Sequence, residues 1–456
     1  MKKFILLSCV FLLSIFSPSV RADELLDLTR AAGYEVSDIN RPKSSIVIDA
    51  HTGTIVWQDN VDEVRDPASM SKVLTLYMTY QAIEAGTISE DTLVRATESD
   101  QAIAGIYAIS NNAIVAGVDY TVSELITMTA VPSSNVATIM LANLLSNNDP
   151  DAFMDQMNAV SQELGMTNSY WFNPSGAAAS SFEGYYNPTR YDLYSANQTT
   201  ARDMAILTYH FLKDYPEILE HTKHPVVTVK AGTPYEETFE TYNYSLPGAL
   251  YGIEGVDGLK TGSSPRGAFN YIATVNRGEQ RFITVIMGVG SWEDQNGEYY
   301  RHPFGNALME KAYAEFDYQK VLAAGQQEVD GQVVNLEADL YATVPKGSSP
   351  NLSIADGRVV LDTGLEQVSP MIAAGQAVEV VSNSASSGTS SQTETQATLA
   401  SGMLDQVKQW LAYWPWLLLL IFLILMGMLH HALNRNRRKR KQTQESGQRS
   451  RRNRRR

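Results

Sequence analysis

The pattern of apolar and polar positions divides the chain into two apolar ends and a long mixed middle. Residues 4–16 form an apolar run that follows a basic start and leads to small residues around Ala22, as in secretory signal peptides. This run is short for a bilayer span. A second apolar run, Trp410 to Leu429, has the length of a helix that crosses a bilayer core. The pattern therefore predicts a signal peptide over 1–22 and a transmembrane helix over 410–431.

The residues that flank the second apolar run predict its orientation. Trp410, Trp414 and Trp416 cluster at one end, as in an interfacial aromatic belt. Residues 432–456 at the other end are rich in arginine and lysine, and basic flanks favour the cytoplasmic side. An interfacial amphipathic helix is the alternative, but residues 417–429 have no polar face. We predict a single-pass protein of the cell membrane, with a basic cytoplasmic tail and the rest of the chain outside.

The mixed middle shows strand patterns at both ends and helical patterns between them. Residues 44–49 and 54–57 have the composition of strands, and so do residues 269–275 and 281–289, which a turn at 276–279 separates. Helical spacing occurs at 71–85, 123–130, 152–164 and 201–212. This order predicts an α+β domain whose sheet joins early and late segments of the chain.

The last part of the middle has a different composition. Gln327 to Val380 contains short valine-rich runs separated by turns, which indicates a small β-domain. Residues 382–402 are rich in Ser, Thr, Gln, Gly and Ala and are typical of a flexible stalk. We therefore place a first domain at 23–316, a small β-rich domain at 317–381, and a stalk at 382–402.

Charge and cysteine content narrow the possible functions. The formal net charge is −14 although both chain ends are basic, so the predicted extracellular part is strongly acidic. A strongly acidic surface argues against nucleic-acid or phosphate partners. The single cysteine, Cys9, lies in the predicted signal peptide. The mature chain should have neither a disulfide nor a cysteine metal site.

The sequence lacks two common hydrolase motifs, the Gly-x-Ser-x-Gly elbow and His-Glu-x-x-His. The histidines predicted to lie outside the membrane are His51, His210, His221, His224 and His302. None belongs to a recognisable triad or metal pattern, so we interpret them as surface or hydrogen-bonded structural residues. We predict no metal and no cofactor.

One sequence, Ser69-Met70-Ser71-Lys72, suggests nucleophilic chemistry. It is the only Ser-x-x-Lys in the chain, and it opens the predicted helix 71–85. Residues three apart on a helix share a face, so the Ser69 hydroxyl and the Lys72 amine can meet. A serine nucleophile needs a base, and burial or a second cation can lower the pKa of lysine enough for that role. The alternative is an N-cap serine beside a solvated lysine.

Two further motifs follow in a specific order. Ser133-Ser134-Asn135 lies between two helical patterns, and Lys260-Thr261-Gly262 precedes the late strand pair. Each triplet alone is common. Ser-x-x-Lys, Ser-x-Asn and Lys-Thr-Gly in this order are the signature of penicillin-binding proteins and active-site serine β-lactamases.

The chain resembles the D-alanyl-D-alanine carboxypeptidases of the low-molecular-mass penicillin-binding class, from Ile46 to about Val380. Supporting stretches are 66–72, 172–176, 199–205, 255–262 and 298–304. The resemblance implies a penicillin-binding protein and serine β-lactamase-like transpeptidase domain, with an antiparallel sheet and helices, followed by a small all-β domain. It also implies removal of the terminal D-Ala from peptidoglycan pentapeptide stems, and β-lactams as covalent inhibitors.

The resemblance also implies catalytic roles for particular residues. Ser69 would attack the carbonyl of the penultimate D-Ala, with Lys72 as its base. Ser133 and Asn135 would relay the proton to the leaving amine and hold the peptide. Lys260 would favour the neutral form of Lys72 and attract the substrate carboxylate.

Substrate binding is implied for the residues around Lys260. Thr261 and Arg301 would contact the terminal carboxylate, and Gly262 lies in the same stretch. The backbone N–H groups of Ser69 and Ser263 would form the oxyanion hole.

Two departures from the family pattern concern loops. Ser134 stands where glycine is commoner, and the segment Ala177 to Gln198 is longer and richer in tyrosine than in many members. A β-lactamase is one alternative function, but the context of Glu183 does not match the deacylating glutamate of class A enzymes. A catalytically idle wall-binding scaffold is another alternative, which the intact motifs disfavour.

Overall fold

The computed structural model describes residues 23–380. The predicted signal peptide, the stalk, the transmembrane helix at 410–431 and the basic tail lie outside these residues, as does residue 381. Within residues 23–380 no helix combines the length and apolar character needed to cross a membrane.

A five-stranded antiparallel sheet organises the larger part of the molecule. Its strands are β1 (Ser44–Asp49), β2 (Ile55–Asp59), β7 (Val256–Ser264), β8 (Ala268–Arg277) and β9 (Gln280–Val289). They come from both ends of the first domain, as the sequence predicted, and lie in the spatial order β2-β1-β9-β8-β7. Because β2 and β7 form the two edges, the strand that carries the Lys-Thr-Gly motif has one side without a strand neighbour in this sheet.

Helices cover both faces of this sheet. On one face Ile46 and Ile48 of β1 pack into a large core with the central helices, and on the other face Val47 packs into a second core. This alternation follows from the two-residue period of a strand. All six residues of β1 are buried, since both faces are covered.

The helical part lies between β2 and β7 in the chain. The helices and short strands are α1 (Glu24–Ala31), α2 (Lys72–Glu84), β3 (Leu93–Arg95), α3 (Glu98–Ala104), β4 (Asp119–Thr121), α4 (Val122–Ala130), α5 (Asn135–Ser146), α6 (Pro150–Glu163), α7 (Ala201–Asp214), α8 (Ile218–Thr222), β5 (Val226–Val229), β6 (Glu237–Glu240) and α9 (Gly297–Glu315). Helices α1 and α9 pack on the sheet face opposite α7.

Helix α2 is the central element of the helical part. Its first nine residues, 72–80, are all buried, although the helix begins with a lysine. A helix that is buried on all sides lies in the interior of a domain. Its N-terminal end therefore brings Lys72 into the protein interior.

The small β-domain follows α9 directly and confirms the predicted all-β character. Its strands are β10 (Phe316–Leu322), β11 (Gly325–Val329), β12 (Gln332–Leu336), β13 (Leu340–Pro345), β14 (Asn351–Ala355), β15 (Arg358–Asp362), β16 (Gly375–Ala377) and β17 (Glu379–Val380). They form three small sheets, β10-β13, β11-β12-β17 and β14-β15-β16, around a separate core that includes Val334 and Val359. The amide of Ile55 donates to the carbonyl of Glu366, so this domain also contacts the edge strand β2.

Two local features differ from the sequence expectations. The turn between β8 and β9 is shorter than 276–279, since the strands extend to Arg277 and resume at Gln280. Gly278 in this turn has φ +67°, a conformation that glycine adopts without strain. Lys260-Thr261-Gly262 lies within a strand, β7, rather than only before a strand pair.

The segment from Ala177 to Gln198 is irregular apart from a short 3₁₀ helix, Ala179–Phe182, and the buried side chain of Asn197 anchors its C-terminal end. Nδ2 of Asn197 donates to Oγ of Ser71 (2.9 Å) and to the carbonyl of Asn173 (2.9 Å). Oδ1 of Asn197 accepts from the amides of Phe172 (2.7 Å) and Asn173 (3.1 Å). One side chain thus joins this segment, residues 172–173 and the N-terminal turn of α2.

We expect Asn197→Ala to lower the free energy of unfolding by about 3 kcal/mol. It would leave two backbone donors without an acceptor, and each such loss costs about 1–3 kcal/mol. Urea unfolding of the purified protein measures this change. Asn168→Ala, at an exposed asparagine, is the control and should change stability by less than about 0.5 kcal/mol. Equal effects of the two substitutions would contradict the anchoring role.

Candidate active site

The turn that carries Ser69 is tied to β7 by Asp66. Residues Ala68–Ser71 form a short 3₁₀ helix that runs directly into α2. The carboxylate of Asp66 accepts from the amide of Ala68 (2.8 Å) and from the hydroxyl of Ser264 (2.7 Å). The position of Ser69 relative to β7 therefore depends on a half-buried carboxylate just before the motif.

Two glycines allow other backbone segments to approach this turn closely. A Cβ on Gly176, which has φ +92°, would lie 2.0 Å from the carbonyl oxygen of Ala68. A Cβ on Gly262 would lie 2.5 Å from the carbonyl oxygen of Pro67 and 3.0 Å from the amide nitrogen of Ser69. Both contacts exclude any larger residue without a backbone shift. The turn is thus packed between β7 and the segment around Gly176.

The amine of Lys72 makes three polar contacts. Its Nζ lies 3.0 Å from Oγ of Ser69, 2.9 Å from Oδ1 of Asn135 and 2.8 Å from the carbonyl oxygen of Ser175. Lys72 is fully buried, whereas Ser69 is partly exposed. The hydroxyl of Ser69 can therefore meet a substrate while its base stays out of solvent.

Burial, together with the positive charge of Lys260, lowers the pKa of Lys72 well below its ordinary value. A neutral amine has two protons and one lone pair. The carbonyl of Ser175 is an acceptor only, and Oδ1 of Asn135 is one as well, since Nδ2 of the same amide donates to the carbonyl of Ser110 (2.8 Å). With both amine protons directed to these acceptors, the lone pair faces the hydroxyl of Ser69. This is the arrangement that a general base requires.

The connection between α4 and α5 supplies a second wall of the site. Ser133 has φ +63° and is nearly buried. Ser134 caps the N-terminus of α5 by accepting from the amide of Ala137 (3.2 Å). Hydroxyl side chains are favoured at N-caps. This explains how a serine is accommodated where glycine is commoner in the family pattern.

Lys260 extends from β7 toward this connection. Its Nζ donates to Oγ of Ser133 (2.9 Å) and to the carbonyl of Thr261 (3.1 Å). Burial and the nearby charge of Arg301 lower the pKa of Lys260 to about 7. Lys260 therefore keeps part of its positive charge at neutral pH, and that charge favours the neutral form of Lys72.

The edge strand β7 and helix α9 complete the site. Thr261 is nearly buried and Ser263 is exposed at the end of the strand. Arg301 is 1% exposed. Its Nη1 donates to Oγ of Ser263 (3.0 Å) and to the carbonyl of Asn270 (3.3 Å), and burial lowers its pKa to about 10. The guanidinium is thus a buried cation beside the mouth of the site.

The structure brings the residues predicted from the motifs together from α2, the α4–α5 connection, β7 and α9. These residues are Ser69, Lys72, Ser133, Asn135, Lys260, Thr261, Gly262, Ser263 and Arg301. The individual catalytic and binding roles assigned to them remain predictions.

Sequence reasoning missed three contributions to this site. The carbonyl of Ser175 contacts the amine of Lys72. The carboxylate of Asp66 accepts from the hydroxyl of Ser264, and the buried His302 accepts from Arg301. Stretches 66–72, 172–176 and 298–304 contributed to the family resemblance. That resemblance alone could not show which of their atoms face the site.

Comparisons with known proteins agree with this geometry. A family model described as D-alanyl-D-alanine carboxypeptidase matches residues 33–291, and one described as a domain of unknown function matches residues 318–379. The chain is 25% identical over 353 residues to D-alanyl-D-alanine carboxypeptidase DacA of Escherichia coli K12, covering 75% of this chain and 79% of the relative. It is 28% identical over 287 residues to D-alanyl-D-alanine carboxypeptidase DacF of Bacillus subtilis 168, covering 63% and 66%.

Solved structures with the same fold are also similar to this chain. A peptidoglycan synthesis regulatory factor (PBP3) from Streptococcus pneumoniae has a TM-score of 0.64 and 25% identity, covering 74% of this chain and 98% of that one. Penicillin binding protein 5 from Haemophilus influenzae has a TM-score of 0.60 and 24% identity, covering 76% and 98%. The larger family model matches more than half of the chain, and its match includes all three motifs. The chain therefore belongs to the D-alanyl-D-alanine carboxypeptidase family of serine peptidases, within the low-molecular-mass penicillin-binding class.

Proposed function

We propose that this protein removes the terminal D-Ala from peptidoglycan pentapeptide stems through an acyl-enzyme on Ser69. The observation that carries the proposal is the position of the Lys72 amine, 3.0 Å from Oγ of Ser69 and with its two other polar contacts made to obligate acceptors. A base held in this way activates a hydroxyl without a histidine.

Acylation follows from this geometry. Lys72 takes the proton of Ser69 as Oγ attacks the carbonyl carbon of the penultimate D-Ala. The C–N bond then breaks, and the proton that Lys72 took passes through Ser133, which Lys260 orients, to the leaving D-Ala amine, so that Lys72 is again neutral. Backbone amides of Ser69 and Ser263 would stabilise the oxyanion, a contribution of about 3–4 kcal/mol per donor in other hydrolases.

Deacylation returns the enzyme to its starting state. Water attacks the acyl ester with Lys72 as base, which releases the shortened stem and restores the hydroxyl of Ser69. A β-lactam opens on the same hydroxyl, but its leaving nitrogen stays attached to the acyl group. The β-lactam ester would therefore block the site for longer than the natural acyl group does.

We also propose that the catalytic domain lies outside the cytoplasmic membrane, held by a single transmembrane helix over residues 410–431. The support comes from the sequence: an apolar run with aromatic residues at one end and a basic segment at the other. A flexible stalk of about 20 residues, 382–402, has a root-mean-square reach of about 25 Å. Such a tether would let the active site reach newly made wall close to the membrane.

One prediction from this mechanism concerns the nucleophile and its base. Ser69→Ala should abolish both covalent labelling by a fluorescent penicillin and release of D-Ala from a pentapeptide stem. Lys72→Ala should abolish labelling as well, because no other base contacts Ser69 among residues 23–380. Gel fluorescence and mass spectrometry measure the label, and circular dichroism checks the fold. Persistent labelling of Ser69→Ala would refute the assignment of the nucleophile.

A second prediction concerns pH. The base must be neutral, so the acylation rate rises with pH through the lowered pKa of Lys72. Lys260→Met removes a neighbouring positive charge, so the pKa of Lys72 should rise and the acid limb of the rate profile should move to higher pH.

The second-order rate constant for acylation by penicillin, measured across pH, reports this shift. Lys320→Met, at a solvent-exposed lysine of the small β-domain paired with Asp339, is the matched control and should leave the acid limb unchanged. An acid limb that stays in place or moves to lower pH in Lys260→Met would rule out this electrostatic role.

A third prediction concerns the anchor. A chain of residues 23–400 should hydrolyse a soluble pentapeptide at the same rate as the full-length protein, because the site is complete within residues 23–380. In cells that chain, exported with its signal peptide, should appear in the medium, whereas the full-length protein should sediment with membranes. A full-length protein recovered in the soluble fraction would refute the membrane anchor.

A further inference from the structure

His302 is a fully buried histidine beside the proposed active site, and no motif assigns it a role. It follows Arg301 in helix α9 and is 0% exposed. Neither the hydrolytic steps above nor the family motifs use it. Its position therefore needs its own explanation.

The imidazole accepts a hydrogen bond from its neighbour. Nε of Arg301 donates to Nε2 of His302 (3.4 Å), while Nη1 of Arg301 donates to Oγ of Ser263 and to the carbonyl of Asn270. Because Nε2 accepts, the proton of a neutral imidazole must be on Nδ1. Nδ1 lies 3.2 Å from Oγ of Ser245, which can accept that proton.

The surroundings of His302 keep it neutral. Aromatic rings enclose it, with ring centroids at 4.5 Å for Tyr271, 5.2 Å for Tyr244 and 6.3 Å for Tyr251. Burial and the adjacent charge of Arg301 lower the pKa of His302 well below its ordinary value. A proton on Nε2 would also remove the acceptor for Arg301.

The partners of Arg301 have a common property. Each hydrogen-bond acceptor that holds its guanidinium within residues 23–380 is neutral: a hydroxyl, a backbone carbonyl and an imidazole. The nearby carboxylate of Glu298 accepts instead from the hydroxyl of Tyr244 (2.7 Å). Within residues 23–380 the guanidinium is therefore held in place without a direct ion pair, and the only opposing charge that acts on it from nearby is the carboxylate of Glu298.

The neutrality of the acceptors of Arg301 affects which substrates the enzyme prefers. A carboxylate at position 302 would bind Nε equally well, but its charge would cancel the attraction of Arg301 for an anion. A neutral acceptor fixes the side chain and preserves that attraction.

We infer that His302 is a positioning residue. Its neutral imidazole accepts a hydrogen bond from Arg301 and so orients the guanidinium without cancelling its charge, which makes the enzyme selective for substrates with a free terminal carboxylate. The inference rests on the proposed contact between Arg301 and that carboxylate.

The test compares two thioesters of an acylated D-alanine. One has a leaving group that ends in a carboxylate, and in the other this carboxylate is methylated. Release of the thiol gives kcat/KM for each, and their ratio measures selectivity for the free carboxylate. Arg301→Ala should lower this ratio about 10- to 100-fold, the usual range for a contact between charged groups.

Three substitutions of His302 separate the possible roles. His302→Gln keeps a neutral acceptor and should retain the parent ratio within about threefold. His302→Glu introduces a carboxylate of similar size to Gln and should lower the ratio to that of Arg301→Ala, mainly through KM for the anionic thioester. His302→Met removes the strong acceptor and should lower the ratio about 3- to 10-fold. These ranges follow from the strengths of neutral and charged contacts.

The neutral thioester serves as the internal control. It should react at a similar rate in each folded variant of His302, so a merely structural defect, which slows both substrates, is distinguished from lost selectivity. A parent-like ratio in His302→Glu would overturn the inference, and if that variant does not fold, a parent-like ratio in a folded His302→Met would do so. An unchanged ratio in Arg301→Ala would instead refute the proposed carboxylate contact.

Discussion

The burial of the Lys72 amine is the constraint on which the site depends. An amine inside a protein is costly to protonate, so burial itself creates a neutral base at a residue that is normally charged. That base is useful only if its protons are held away from the nucleophile. Asn135 and Ser175 meet this condition by accepting them. The burial of the first nine residues of helix α2 and the close approach of Gly176 are both needed to bring these groups together.

The pKa values of the three basic side chains of the site form a graded series. The pKa of Lys72 is lowered well below its ordinary value, that of Lys260 is lowered to about 7, and that of Arg301 is lowered only to about 10, so Arg301 keeps its charge although it is buried. Their hydrogen-bond acceptors among the described residues are neutral. A local positive field therefore persists in a chain that carries a net negative charge. Such a field suits a peptide that ends in a carboxylate, because a focused charge raises the local concentration of an oppositely charged ligand.

The fold could be predicted where the local pattern is strong. The paired early strands and paired late strands indicated one sheet, and β1 and β9 are indeed neighbours in it. Other features of the fold could not be predicted from the local sequence pattern. Strand β7 contains two glycines and a lysine among its nine residues, so its sequence lacks the alternation typical of strands, and its pairing with β8 determines the strand. Tertiary pairing also shortened the turn that follows β8.

The order and identity of the reactive groups follow from the sequence alone. Three short motifs were enough to predict Ser69, Lys72, Ser133, Asn135 and Lys260 as one site, because each supplies a chemical group that the others require. Which acceptors complete that site depends on how the chain folds. The carbonyl of Ser175 and the imidazole of His302 belong to residues whose types suggest no such role. Backbone carbonyls occur at every position, and a histidine's proton depends on its neighbours, so these functions arise only when distant segments meet.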